Sequence, residues 1–160
     1  MSATLQTSKT FATASINPDL IEFDTFLDTF EQTWRADCYL REVASFSSPS
    51  RMSSEMRIVG NAWIDCEASL NSFCDRLEGT SAVYLAVDAL YPVLPKYRLA
   101  SNCLLKVVSR MNVVASSTMD PDLKNLILRA SVLSLAYYET LQLFDNANFP
   151  AMRHGYLIHH

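Results

Sequence analysis

Glycine is scarce in this 160-residue chain, with only 3 residues. None of Gly60, Gly79 and Gly155 stands in a G-x-G-x-x-G or G-x-x-x-x-G-K frame, which leaves no loop to cradle a phosphate and no nucleotide cofactor to expect. Histidine is missing from the first 153 residues; His154, His159 and His160 are all at the end. There is no Glu-x-x-His pair, so neither a carboxylate-bridged metal centre nor a proximally ligated haem has its ligands. A serine, cysteine or threonine nucleophile would likewise lack an imidazole within any helical pattern. These absences predict a protein that is not an enzyme and holds no metal or cofactor.

The four cysteines, Cys38, Cys66, Cys74 and Cys103, make no C-x-x-C, and a chain that is 49% hydrophobic does not need disulfides to hold a core. Reduced, buried thiols are expected. No Asn-x-Ser/Thr acceptor occurs, and Met1 to Asn17 contains no apolar run of leader length, so a cytoplasmic setting is expected. In the last long helical pattern the longest uncharged stretch, Ala130 to Tyr138, is far short of the ~20 apolar residues a bilayer span requires. No membrane span is expected. The 13 basic residues are outnumbered by 17 acidic ones, so there is no global basic field to gather nucleic acid.

Helical periodicity, by contrast, is abundant. Asn17-Pro18-Asp19 supplies a cap, a first-turn proline and a negative charge at a helix start, and Leu20, Phe23, Leu27, Phe30 and Trp34 then advance by three or four. The pattern fades near Phe46, and Ser47-Ser48-Pro49-Ser50 reads as a break. A second helix is expected with Ser53 or Ser54 as its cap and Met56, Val59, Trp63, Cys66, Leu70, Phe73 and Leu77 on one stripe, closed by Gly79 in a left-handed conformation. A short helix from Thr80 or Ser81 ends before Pro92. From Lys96 to about Ser116 a further helix presents Tyr97, Ala100, Leu104, Val107, Met111 and Val114, and the last runs from Asp120-Pro121-Asp122 to about Asn146, where Asn146, Asn148 and Pro150 interrupt it. The expected fold is an all-α, single-domain bundle of four long helical rods, one of them broken at Pro92 and Pro95. Residues 1–17 form a mobile N-terminal arm, 18–146 the bundle, and 147–160 a tail or strap.

Two features point toward function. The last helix has an ordinary core stripe in Leu123, Ile127, Ala130, Leu133, Tyr137, Leu141 and Phe144, yet Leu128, Val132, Leu135 and Leu143 lie opposite it. A helix that is apolar on both sides must be covered by its own subunit or by a neighbour, which predicts a protein-interaction or self-assembly subunit docking through those four residues as a homo-oligomer or with a protein partner. The second feature is charge. The first helix opens with Asp19, Glu22, Asp24, Asp28 and Glu31, expected on a solvated face, as are Glu42 and Glu67. Lys96, Arg98, Lys106 and Arg110 form a basic arc on the fourth helix, with no acid between Asp88 and Asp120. Such faces either pair within one subunit or dock copies head to tail. Alternatively, the basic arc meets nucleic acid in a coat-like array, where many copies multiply a weak contact. A further alternative is a module for an apolar pigment or lipid, lined by aromatic residues such as Trp34, Trp63, Tyr137 and Tyr138.

Overall fold

A computed structural model of the chain describes residues 17–43, 48–97 and 103–151, with side chains of the last helix through Leu143. Among these residues the fold is all-α, with no strand. Five α-helices occur in order: α1 (Pro18–Val43), α2 (Pro49–Arg76), α3 (Ala82–Asp88), α4 (Cys103–Ser116) and α5 (Pro121–Ala151). Two 3-10 turns, Tyr91–Val93 and Pro95–Tyr97, separate α3 from α4. A break is present at Pro92 and Pro95, where Pro92 is the second residue of the first turn and Pro95 opens the second, neither continuing an α-helix.

The starts of α1 and α5 follow the same local chemistry. The Asp19 amide donates to Asn17 Oδ1 at 2.9 Å, and the Asp122 amide donates to Asp120 Oδ1 at 3.0 Å. In both, an Asx side chain accepts an otherwise orphaned amide while the following proline has no N–H to satisfy.

The start of α2 differs from the expectation. Ser48, not Ser53 or Ser54, is the cap: its backbone is extended and its hydroxyl accepts from the Arg51 amide at 3.3 Å. Pro49 thus opens α2, since a first-turn proline removes a donor the helix cannot use. The far end of α2 also differs. It stops at Arg76, with Leu77 extended and its amide bonded to Cys74 O, and Gly79 does not adopt a left-handed conformation. The chain leaves α2 by way of extended Leu77 before Gly79 is reached, so the glycine's freedom is not used. The last helix continues past Asn146 and Asn148 to Ala151. Asparagine is only a weak helix breaker, and Pro150 removes a single bond, that to the residue four before it, with one residue of helix left to run. The expected arm before Asn17 and the tail beyond Ala151 lie outside the described residues.

One hydrophobic cluster takes side chains from all five helices. α1 packs against α2 on one side and α5 on the other, and α5 in turn packs closely on α4. α3 and the 3-10 turns close the gap between α2 and α4. Phe30, Trp34, Trp63 and Tyr137 form an aromatic centre, with Trp34 and Tyr137 stacked at 5.3 Å and Trp63 and Tyr137 at 6.0 Å between ring centroids. Phe30 meets the Tyr137 ring edge-on and both tryptophans stack on Tyr137, so these rings pack against one another in the core. Among the described residues no helix is long and apolar enough to cross a membrane. No group of His, Cys, Asp and Glu among them could hold a metal ion.

Candidate interaction surface

α5 is the helix with two apolar sides, and its two sides meet different fates. Leu123, Leu126, Ile127, Ala130, Leu133 and Tyr137 are buried against α1 and α4. On the opposite side Leu128 is 40% exposed, Val132 64% and Leu143 69%, while Leu135 is half-buried. The subunit's own helices leave this stripe largely uncovered. Leu128, Val132 and Leu135 recur in steps of four and three, which keeps them on one outward line.

The seam between α4 and α5 is tied beside this line. Ser131, itself buried, donates from Oγ to Asn112 Oδ1 at 3.1 Å. Leu105 lies seven residues before Asn112, hence on the same face of α4, and is exposed. The apolar line on α5 therefore continues onto α4 across a polar stitch.

The basic arc is divided. Lys96 is on the second 3-10 turn rather than on α4, and its Nζ donates to Glu67 Oε2 at 2.8 Å. Tyr97 Oη donates to the same oxygen at 2.9 Å. These bonds, that of Lys96 foremost, hold the Glu67 carboxyl below its usual range. Glu67 is thus a partly buried acceptor, not a free surface acid. Arg98 lies outside the described residues. Lys106 and Arg110 are exposed on α4 with no ion pair among the described residues. They lie about a third of a turn or more around the helix from Asn112, away from the seam with α5.

Among the described residues the acidic face of α1 is met by Arg129 and Arg76, not by Lys96, Lys106 or Arg110. Arg129 projects from the inner flank of α5, donating from Nη1 to Asp24 Oδ1 at 2.7 Å and from Nη2 to Asp28 Oδ1 at 2.5 Å. Glu31 Oε1 lies 3.7 Å from Arg129 Nη2, and Glu31 Oε2 accepts from Arg35 one helical turn on. Glu22 pairs with Arg76 of α2. Asp24 is buried, contrary to the expected solvated position, and burial raises its carboxyl above the ordinary value of 3.8 despite the opposing pull of Arg129. Of the acids expected on a solvated face, Glu42 is exposed and Asp19 half-buried, whereas Glu22, Asp24, Asp28, Glu31 and Glu67 have partners in their own subunit. Most of α1's charge is consumed internally, which leaves little of it for head-to-tail docking.

The thiols follow the expectation in part. Cys66 and Cys74 are buried and Cys38 and Cys103 half-buried, all without disulfides. Burial pushes the Cys66 and Cys74 thiols up, away from the thiolate form that nucleophilic chemistry needs. Sequence reasoning missed the Arg129 cluster, although a lone arginine amid the apolar residues of α5 was its available signal. No family model, curated protein or solved structure matches the chain.

Proposed function

We propose that the chain is a non-catalytic self-assembly or protein-interaction subunit, a single bundle of four helical rods that docks through the outward stripe of α5. What carries this reading is the exposure of Leu128, Val132 and Leu143 on a helix whose other side is fully packed. Leaving several large aliphatic side chains in water along one line forgoes about 1.5–3 kcal/mol for each that a partner would fully bury. A surface helix of an isolated bundle ordinarily carries polar residues there.

Val132→Asp tests it. The side chain stands mostly in solvent in the free subunit, so the substitution leaves the fold intact, but it places an unpaired carboxylate at the centre of the docking line. Association should weaken by roughly 30-fold or more, read as molar mass against concentration, with helical circular dichroism unchanged. Unaltered association would remove α5 as the docking face.

A second reading draws on Lys106 and Arg110, which are exposed and have no carboxylate partner among the described residues. In an ordered array these two bases per copy would line up against nucleic acid as in a coat. Salt-dependent RNA retention by assembled protein, lost with Lys106→Glu and Arg110→Glu together, would support it, and unchanged retention would eliminate it.

A further inference from the structure

The outward stripe of α5 is self-complementary, and, resting on the docking reading above, we infer that its occupant is a second copy of this chain bound about a two-fold axis with the two α5 helices antiparallel. Lys124 stands one turn before Leu128, and Glu139 one turn after Leu135, on the same outward line. Both are exposed, and neither forms an ion pair among the described residues. They are about 22 Å apart along the helix, too far to meet within one chain.

The five positions Lys124, Leu128, Val132, Leu135 and Glu139 are arranged almost evenly about a point between Ser131 and Val132. Laying a second α5 antiparallel over that point brings Leu128 to Leu135 of the partner subunit, and Lys124 to Glu139 of the partner subunit. Val132 falls beside the axis. Symmetry repeats each pair, so one register satisfies two apolar contacts and two ion pairs. The parallel alternative would set lysine on lysine and glutamate on glutamate. Like charges in apposition disfavour it, and opposite charges fix the antiparallel register.

The neighbouring helix widens the surface. The bond from Ser131 to Asn112 fixes α4 beside α5, and Leu105 on the face of Asn112 extends the apolar strip across the seam. Lys106 and Arg110 are turned away from the seam and fall at the rim. A strip roughly 30 Å long and two helices wide amounts to about 600 Å² per copy, at the low end for a specific interface. The dimer is accordingly reversible and concentration-dependent, not obligate.

Sedimentation equilibrium on the full chain distinguishes the possibilities. Lys124→Glu and Glu139→Lys should each weaken dimerisation by about tenfold, because two attractive pairs become repulsive. The double variant should recover the wild-type affinity, and an equimolar mixture of the two single variants should form a heterodimer. Both sites are exposed, so helical content serves as the check that folding is unchanged. If the wild type dimerises and Val132→Asp abolishes this, but neither charge reversal alters affinity, the antiparallel register is wrong while the docking face stands. A wild type that stays monomeric at every concentration overturns the two-copy inference and leaves a different protein as the partner of the docking face.

Discussion

Arg129→Met removes the cation that, among the described residues, joins α1 to α5, while keeping an apolar stem of similar length. In the wild type, Arg129 is 27% exposed and the Asp24 side chain 5%, whereas Asp28 is about half exposed. Losing one partner of a fully buried pair costs about 3–5 kcal/mol; with an arginine partly in solvent and one carboxylate half in water, about 2–3 kcal/mol is expected. Urea unfolding followed by circular dichroism at pH 7 should show this as a midpoint lower by about 1 M.

The loss carries a sign in pH. Asp24 has a folded-state value above its ordinary 3.8, so the folded chain binds the proton more tightly than the unfolded one. Its contribution to stability therefore rises as pH falls from neutral through that raised value, and levels off below 3.8, where both states are protonated. Without Arg129 the carboxyl moves further up. The difference between variant and wild type is then largest at pH 7, where Asp24 is ionised and uncompensated, and shrinks on acidification. Adding Asp24→Asn to the variant should recover part of the loss at pH 7. A loss below about 0.5 kcal/mol at pH 7, or one that does not shrink as pH falls toward 3.8, would show that the cluster does not join the helices as described.

Three further outcomes follow from the same geometry. Tyr137→Phe deletes a buried hydroxyl that donates to Asp37 Oδ2 at 3.2 Å, and should cost about 1–3 kcal/mol in thermal or urea unfolding; a neutral result would show that Asp37 is satisfied without it. Ser134→Ala should be neutral to stabilising by up to about 1 kcal/mol, because the Ser134 hydroxyl is buried with no hydrogen-bond partner among the described residues and alanine favours a helix; a loss above 1 kcal/mol would contradict that. With a thiol-modifying disulfide reagent, Cys38 and Cys103 should react before unfolding, and Cys66 and Cys74 only as the chain opens; a fast phase removed by Cys66→Ser would contradict the burial described.

What was legible in the sequence was local. Asn17-Pro18 and Asp120-Pro121 signal helix starts within a few residues, and the structure uses both as capped starts. The core stripes of α1 and of the inner side of α5 follow from steps of three and four: Leu20, Phe23, Leu27, Phe30 and Trp34, and Leu123, Ile127, Ala130, Leu133 and Tyr137, are buried, while Leu141 is half-buried. Capping was less legible where candidates compete: Ser48 is chosen over Ser53 and Ser54 because Pro49 follows it at a position where proline costs nothing. The Arg129 cluster was least legible, since its bonds to Asp24 and Asp28 join residues more than 100 apart in the chain. Asp24 and Asp28 look like an ordinary solvated pair until α5 is placed beside them. The same distance rule explains why the acidic face of α1 suggested an external partner. Met56 shows the limit of periodicity alone, for it sits on the apolar stripe of α2 but where that helix is largely open to solvent, and it is exposed.

Molar mass in solution against concentration, for the wild type and for Val132→Asp, decides whether the outward side of α5 is an interface. The wild type should rise from 18.0 kDa toward twice that mass as concentration increases, and Val132→Asp should remain at 18.0 kDa with the same helical content. A wild type fixed at 18.0 kDa throughout, or a variant that associates as well as its parent, would contradict the proposed self-docking through Leu128, Val132 and Leu135.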